Sequence, residues 1–156
     1  MADARTFIGE NLQLLPAPGV PEIRLYRAHP KSGLSRLIGE DAAPPYWAYG
    51  WAGGTVLARY ILDRPEAVKG RRVLDLGSGS GIVAIAAAQA GASCIMAADI
   101  DPFALVAAGL NAEVNGVVIQ AVKGDLTQGS PPDVELILVG DLCRGRAGGS
   151  GRRYGP

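Results

Sequence analysis

Three glycines alternate with serines in the middle of this sequence. Gly77, Gly79 and Gly81 directly follow the apolar residues 72–76, which are typical of a short buried strand. A glycine-rich turn between a strand and a helix lets a ligand approach the backbone and points the helix N-terminal amides at it. The alternative is that the glycines only permit a tight turn. The dinucleotide fingerprint needs its third glycine at position 82, where this chain has isoleucine, so the spacing disfavours a pyrophosphate-binding dehydrogenase.

Aspartates stand at or near the ends of the apolar segments. Asp99 ends the second segment, where a carboxylate can accept hydrogen bonds from both ribose hydroxyls of an adenosine. Helix capping is the alternative role, but Asp101 followed by Pro102 fits the N-cap and N1 positions better. Asp125 follows the third segment, where it can accept from an adenine amino group or act as a turn residue. Asp75 lies inside the first segment, and burial there costs stability unless the carboxylate is hydrogen-bonded. We expect Asp75 to hold the glycine loop or to meet a cationic group of the ligand.

Alternating strands and helices are predicted to position these residues. The predicted strands are 72–76, 93–98, 117–122 and 134–139, and the predicted helices are 82–90 and about 102–114. Gly91 is expected just after the first of these helices, as its C′ residue. Cys94 lies in the second apolar segment and is expected to be an ordinary buried small residue. This repetition predicts an α/β fold with a doubly wound, parallel, Rossmann-like sheet of about four core strands.

The N-terminal part has a different pattern. Residues 1–45 are rich in proline and contain short alternating stretches such as 22–27, which predict an arm with one or two β-hairpins. Pro44 and Pro45 end this arm, and a helical stretch is predicted from about 47 to 62. The apolar residues at helical spacing in that stretch are Trp51, Val56, Leu57, Tyr60 and Ile61.

Composition and charge exclude several classes of protein. The 156 residues include 15 Lys+Arg and 15 Asp+Glu, and 48% hydrophobic residues are enough for the core of one domain. Residues 1–143 carry 11 bases and 15 acids, a net charge of −4, whereas residues 144–156 carry four arginines and no acid, a net charge of +4. An acidic body argues against nucleic-acid binding.

Targeting and metal signals are also missing from the sequence. No apolar run approaches the roughly 18 residues of a membrane helix, and residues 1–5 do not begin a secretory signal. Two cysteines without CxxC spacing and the single His29 fit neither a disulfide scaffold nor a metal site. We therefore expect a reduced, soluble, cytoplasmic domain without a metal, and no membrane partner.

Several of these motifs resemble a known family. Residues 73–81 (VLDLGSGSG) resemble the first motif of class I S-adenosylmethionine-dependent methyltransferases, and residues 98–101 (ADID) resemble the second. Residues 44–54 (PPYWAYGWAGG) look like the bacterial relatives of the electron-transfer-flavoprotein β-subunit lysine methyltransferase. So do residues 99–105, followed by Asn111 and by Asn115-Gly116. The first motif alone marks only the superfamily, and the Trp-Ala-Gly-Gly segment narrows it. Together the similar segments cover most of residues 7–142.

The resemblance implies S-adenosyl-L-methionine as cofactor and a place for each site residue. Gly77, Ser78 and Gly79 would line its methionine part, with Gly81 completing the loop and Asp75 near the cofactor's ammonium group. Asp99 would hold the ribose and Ile100 would pack on the adenine. The remaining implied contacts are Asp125 and Leu126 at the adenine edge, and Trp51 and Gly140 on the two flanks of the pocket. Trp51 could equally be a core anchor of its helix.

The resemblance also implies N-methyl transfer to protein lysine. In related lysine methyltransferases an Asp-x-x-Tyr motif after the fourth strand orients the accepting nitrogen. Asp141 matches the acid, and Arg144 replaces the aromatic residue, which would repel a lysine ammonium but suit an acidic substrate. The electron-transfer flavoprotein β subunit is the substrate expected from the resemblance. A small-molecule amine, a ribosomal protein and a cofactor-binding remnant without activity stay open as alternatives.

The domain division follows from these segments. We expect an N-terminal arm at 1–45, a partial S-adenosylmethionine-binding domain at 46–143 and a disordered Gly/Arg tail at 144–156. The class I fold has seven strands, whereas four are predicted here, and low-complexity Gly/Arg residues begin directly after the last recognised motif. We therefore hypothesise a truncated or frameshifted chain, with the tail translated out of its ancestral frame. In that fold the first strand is central, strands two and three lie on one side of it and strand four on the other. The fourth strand would then be an exposed apolar edge, through which we expect self-association.

Overall fold

The computed structural model describes residues 3–142. The helices are α1 (Ala4–Asn11), α2 (Ser35–Ile38), α3 (Ala52–Asp63), α4 (Ile82–Gln89) and α5 (Pro102–Val114), and 3-10 turns lie at Tyr46–Ala48 and Pro65–Ala67. The strands are β1 (Gln13–Ala17), β2 (Val20–Arg27), β3 (Arg72–Leu76), β4 (Cys94–Asp99), β5 (Gln120–Lys123) and β6 (Leu136–Leu138). The expectations for Arg144 and for the tail at 144–156 concern residues outside the described part of the chain and stay predictions.

A four-stranded parallel sheet forms the centre of the molecule. Its strand order is β5-β4-β3-β6, with β3 paired to both β4 and β6. This confirms the predicted α/β fold class and the expected strand order. Because the strands are parallel, their carboxyl ends lie along one edge of the sheet, where α/β proteins bind ligands.

The two later strands are shorter than predicted. β5 begins at Gln120 rather than 117 because the Val117 amide donates to the Ala112 carbonyl, which closes the end of α5. Val118 is 89% exposed and pairs with no strand. β6 similarly covers only 136–138, because the Val134 amide donates to the Pro132 carbonyl in a turn.

The helices after β3 and β4 begin and end as their sequences predict. α4 is apolar on all sides, and every residue from Ile82 to Ala87 is buried, as expected for a helix covered on all faces. Gly91 follows it with φ +93°, which confirms the predicted C′ glycine. Asp101 caps α5 by accepting a hydrogen bond from the Phe103 amide at 2.9 Å, with Pro102 in the first turn.

The N-terminal arm contains the expected hairpin, formed by β1 and β2, and also helix α1, whose range was not predicted. Asp3 caps α1 by accepting from the Thr6 amide at 3.2 Å. Phe7 and Ile8 are buried on α1, in a cluster that includes Trp47 and residues of α5. The arm is therefore packed against the α/β part of the molecule.

The helix predicted at 47–62 begins five residues later, at Ala52. Residues 46–48 form a 3-10 turn instead, and Trp51 has an extended backbone as the N-cap of α3. The predicted apolar face is also partly wrong, because Val56 is exposed whereas the buried residues of α3 are Gly54, Ala58 and Ile61. The small residues are buried because α3 packs closely on α4.

Surface features correct one prediction and agree with another. Cys94 is exposed, not buried, because it is the first residue of β4 and lies at the amino end of the sheet, paired with the exposed Arg72. Ile137 in β6 and Val139 just after it are 50% and 46% exposed, and β6 is an edge strand among the described residues. In residues 3–142 no helix is long and apolar enough to cross a membrane, and no three His, Cys, Asp or Glu side chains are grouped for a metal.

Candidate functional site

The glycine loop joins β3 to α4 over the carboxyl end of β4. Gly77, Gly79 and Gly81 have φ values of +70°, +53° and +82°, a backbone region that strains other residues. The Gly77 and Ser78 amides both donate to the Ala98 carbonyl at 2.9 Å. The loop is therefore fixed against the neighbouring strand, and each glycine is required by its own conformation.

Asp99 connects this loop to the start of α5. Its Oδ2 accepts from the Gly79 amide at 2.9 Å, and its Oδ1 accepts from the Asp101 amide at 3.0 Å. A carboxylate offers about four acceptor positions, so both oxygens keep capacity for further donors. Asp101 performs the capping, as predicted, which leaves Asp99 as a partly buried acceptor beside the loop.

Asp75 holds the helix that follows the loop. It is fully enclosed in β3, and its Oδ2 accepts from the Ala84 amide, in the first turn of α4, at 3.1 Å. The pKa of Asp75 is raised to about 7, chiefly because burial disfavours the charged carboxylate; the Ala84 hydrogen bond lowers the pKa and the nearby charge of Asp99 raises it, and both effects are included in that value. This bond goes to helix α4 rather than to the glycine loop, so it differs from the first role expected for Asp75, and a contact with a ligand cation stays a prediction.

A cavity of about 500 Å³ opens at the carboxyl ends of the strands, a size typical of small-molecule sites. The loops after β3, β4, β5 and β6 all contribute to its wall, together with the hairpin and the segment before α3. All but one of the predicted site residues line it: Trp51, Asp75, Gly77, Ser78, Gly79, Asp99, Ile100, Asp125, Leu126, Gly140 and Asp141.

Gly81 is the exception and does not line the cavity. A Cβ at Gly81 would come within 2.9 Å of the Ala108 Cβ, because α4 and α5 approach closely there. Gly81 therefore has a packing role, in which the absence of a side chain lets the two helices meet, and its contact with a cofactor stays a prediction.

The side of the cavity formed by the segments after β4 and β5 has an exposed apolar residue and a structured turn. Ile100 is 68% exposed on the wall, as expected of a side chain that packs on a ligand ring. The Asp125 Oδ1 accepts from the Thr127 amide at 2.9 Å, so the turn role considered for Asp125 is present. Asp125 also lines the cavity, and a ligand contact there stays a prediction.

Asp141 caps helix α3, although it lies 87 residues after its partner Gly54 in the chain. Its Oδ2 accepts from the Gly54 amide, the third residue of α3, at 2.8 Å, whereas Trp51 at the N-cap gives no side-chain bond. A Cβ at Gly53 would lie 2.4 Å from the Gly140 carbonyl, and one at Gly140 would lie 2.8 Å from the Gly54 Cα. The sequence analysis missed this role, although the Gly53-Gly54 pair is the signal for such a close approach.

Trp51 stands at the cavity wall and is not a core anchor of α3. Its side chain is 42% exposed, and its Nε1 donates to the Tyr46 carbonyl at 2.8 Å. The Tyr46 ring meets it edge-on, with ring centroids 5.3 Å apart. Trp51 is thus held at the site by local contacts, which agrees with its predicted position on the flank of the pocket.

Two buried polar atoms on this wall have no hydrogen-bond partner in the described part of the chain. Trp47 is 3% exposed and its Nε1 is unpaired, and Ser78 is 7% exposed and its Oγ is unpaired. Buried polar groups are almost always hydrogen-bonded, so two unpaired polar atoms in residues of the cavity wall indicate a place where a polar ligand could supply partners. Trp47 was not predicted as a site residue, and the signal for it was only its place in the PPYWAYGW segment.

Comparison with known proteins gives one family and two groups of relatives. The model of the family "Ribosomal protein L11 methyltransferase (PrmA)" matches residues 50–138. The electron transfer flavoprotein β-subunit lysine methyltransferases of Danio rerio and Homo sapiens are 42% and 44% identical. Each of those matches covers 90% of this chain but only 56% and 55% of the relative, so the chain spans just over half their length. The ribosomal protein L11 methyltransferase of Halorhodospira halophila is 58% identical over 111 residues, 70% of this chain and 34% of that protein.

Solved structures agree on the fold. The 16S rRNA N2 G1207 methyltransferase of T. thermophilus superposes with a TM-score of 0.52 at 23% identity, over 64% of this chain and 28% of that one. The putative RNA methyltransferase of Pyrococcus horikoshii gives a TM-score of 0.51 at 18% identity, over 64% and 50% of the two chains. At this identity the likeness shows the Rossmann-like methyltransferase fold alone. Because the family model covers more than half of its residues, the chain belongs to the ribosomal protein L11 methyltransferase (PrmA) family.

Proposed function

We propose that this chain binds S-adenosyl-L-methionine in the cavity and takes part in methyl transfer to a protein lysine. The observation that carries the proposal is the glycine loop tied to Asp99 through the Gly79 amide, at the carboxyl end of β4. The family match and the lysine methyltransferase relatives support the reaction class and the acceptor.

The geometry suits the parts of this cofactor. Asp99 keeps acceptor capacity for the ribose hydroxyls, and Ile100 offers an apolar surface for the adenine. The unpaired Ser78 hydroxyl lies on the loop that would face the methionine part. Among the described residues five aspartates and one arginine line the cavity, and this balance favours a ligand with a positive centre even though Asp75, with a pKa of about 7, is only partly ionised near neutral pH. The five aspartates are Asp75, Asp99, Asp101, Asp125 and Asp141.

Transfer needs positioning more than acid–base chemistry. When bound, S-adenosyl-L-methionine supplies a methyl group already activated by its sulfonium, and the acceptor nitrogen must approach in line as a neutral amine. The chain's part is to hold the cofactor along the strand ends and to keep the wall at Trp51 and Asp141 fixed. We also propose that Asp141 orients the acceptor nitrogen. Its Oδ2 accepts from the Gly54 amide, which holds the side chain at the cavity wall.

The test is a calorimetric titration followed by a transfer assay. S-adenosylhomocysteine is titrated into the wild-type chain and into Asp99→Ala, which removes the acceptor without adding a side chain that could clash. We expect binding to the wild type and a loss of at least about tenfold in affinity for the variant, the size expected for charge-assisted hydrogen bonds. Absence of binding to both would overturn the cofactor assignment.

The transfer assay uses labelled S-adenosyl-L-methionine and the electron transfer flavoprotein as acceptor. Ribosomal protein L11 is assayed beside it, because the family model and the 58% identity to the Halorhodospira halophila protein favour it as the second candidate. Label on the flavoprotein supports the proposed acceptor, and label only on L11 supports the second. Binding without label on either protein supports the cofactor-binding remnant, and turnover without labelled protein supports a small amine.

A further inference from the structure

We propose that Arg27 and Trp47, which both precede the family match at 50–138, bind the α-carboxylate of the cofactor. The inference rests on the proposed function and deepens it. It assigns the N-terminal arm and the 3-10 turn after it a part in ligand binding.

Within residues 3–142 no acidic side chain forms an ion pair with Arg27. It ends β2, is half-buried and is the one basic side chain among the described residues that line the cavity. None of the ion pairs or side-chain hydrogen bonds between residues 3 and 142 involves its guanidinium. A partly buried charge is costly unless it is paired, so the position suits an anionic group of a ligand.

Trp47 is the second donor and is more deeply buried. Its indole Nε1 can only donate, and within the described residues nothing accepts from it. The Trp47 Cα lies 4.0 Å from the point where a Cβ at Gly79 would stand, so the residue borders the glycine loop. A buried donor beside the loop needs an acceptor from the ligand.

The sheet order places these donors at the methionine end of the cofactor. Asp125 and Leu126 follow β5 on one side of the sheet, and Gly140 follows β6 on the other. The segment from Trp47 leads into α3, which packs on Gly140 through its first glycines, and a Cβ at Gly50 would lie 3.4 Å from the Arg27 Nη2. A cofactor with its adenine toward β5 must extend its amino-acid part across β3 toward this side.

A carboxylate is the group of the cofactor that this side can hold. The remaining charged residues on the wall are aspartates, which would attract the ammonium and sulfonium but repel a carboxylate. A guanidinium and an indole N–H can each donate to one carboxylate, and such charge-assisted bonds are among the strong ones. The same chemistry could serve a carboxylate of the acceptor protein, and the test separates the two sources.

The test compares two ligands that differ by one group. S-adenosylmethionine and decarboxylated S-adenosylmethionine share the adenosine, sulfonium and ammonium, and only the first has the carboxylate. Dissociation constants are measured for the wild type, Arg27→Gln and Trp47→Phe, the last of which removes the N–H while keeping an aromatic ring. We expect Arg27→Gln to raise the dissociation constant of S-adenosylmethionine by about tenfold or more, and Trp47→Phe to raise it by about fivefold. Neither variant should change the dissociation constant of the decarboxylated ligand by more than about twofold.

Arg24→Gln is the matched control. Arg24 lies on the same strand, is exposed and is absent from the cavity wall, so its substitution should leave both dissociation constants unchanged. Equal losses for both ligands, or none, would show that Arg27 does not bind the carboxylate. An unchanged cofactor affinity with a raised KM for the protein acceptor would assign Arg27 to the acceptor and overturn the inference. A wild type that binds neither ligand would instead overturn the proposed function itself.

Discussion

At the scale of single residues, the site is built from carboxylates that bond to backbone amides. Asp75, Asp99 and Asp141 each accept from an amide near the start of a helix or from the glycine loop. Such bonds satisfy the free amides that every helix N-terminus has and place negative charge where the helix dipole favours it. The acids that line the cavity therefore hold its walls as well as offering charge to a ligand.

Asp75 predicts how stability changes with pH. Its pKa rises from 3.8 to about 7 on folding, so between these values the folded state binds a proton that the unfolded state has lost. The free energy of unfolding should therefore fall as pH rises from about 4 to 7. Asp75→Asn keeps an oxygen for the Ala84 amide and removes the titration, so at pH 8 it should be more stable by about 2 to 4 kcal/mol. The gain should vanish near pH 4 in urea denaturation of the ligand-free protein. A variant that is less stable than wild type at pH 8 would contradict this reasoning.

The sequence predicts the local parts of this site and misses the tertiary ones. Asp101 is found because its capping role depends on neighbours within a few residues, and the glycine loop is found because the strand–glycine–helix pattern is itself local. The capping of α3 by Asp141 and the burial of the Trp47 indole depend on segments far apart in the chain. No periodicity or spacing reports such contacts, so only the folded chain shows them.

At the scale of elements, helix α3 is attached to the end of the sheet by glycines and one carboxylate. A methyl group at Gly53 would clash with the Gly140 carbonyl, and one at Gly140 would clash with the backbone of Gly54. The small buried residues Gly54 and Ala58 let α3 pack on α4, and its first glycines let it meet the segment after β6. Its predicted start was wrong because residues 46–48 form a 3-10 turn and Trp51 has an extended backbone, although their apolar spacing is that of a helix.

Substitution of Asp141 should measure this attachment. Asp141→Ala removes the acceptor for the Gly54 amide and should lower the free energy of unfolding by about 1 kcal/mol, as for other lost N-caps. Asp141→Asn keeps an oxygen acceptor, and caps of this type are nearly equivalent, so it should stay within about 0.5 kcal/mol of the wild type. Chemical denaturation of the three proteins gives the comparison. If both variants lose the same stability, the charge of Asp141 matters rather than its hydrogen bond.

At the scale of the whole molecule, the arm and the α/β part form one body around the cavity. The family model matches residues 50–138, yet Arg27, Tyr46 and Trp47 lie on the wall of the same cavity. Asn111 and Asn115 of the α/β part bond to the backbone of Tyr26 and Arg24 in the hairpin. The predicted boundary at 45 thus separates two parts of the sequence that the structure joins, since these bonds cross it.

The exposed edge of the sheet gives a prediction for association. β6 pairs with β3 on one side, and its other side has no strand partner among residues 3–142. Ile137 and Val139 are half-exposed there, and an apolar edge strand is a template for pairing with a second chain. We expect the sedimentation coefficient of the wild type to rise with concentration, and Ile137→Lys to suppress the rise, because a charged edge residue opposes strand pairing. Val118→Lys is the control, since Val118 is more exposed but lies outside the strands. A wild type that sediments as a monomer at all concentrations would show that this edge does not pair. Equal suppression by both variants would show that added charge, and not the edge, governs association.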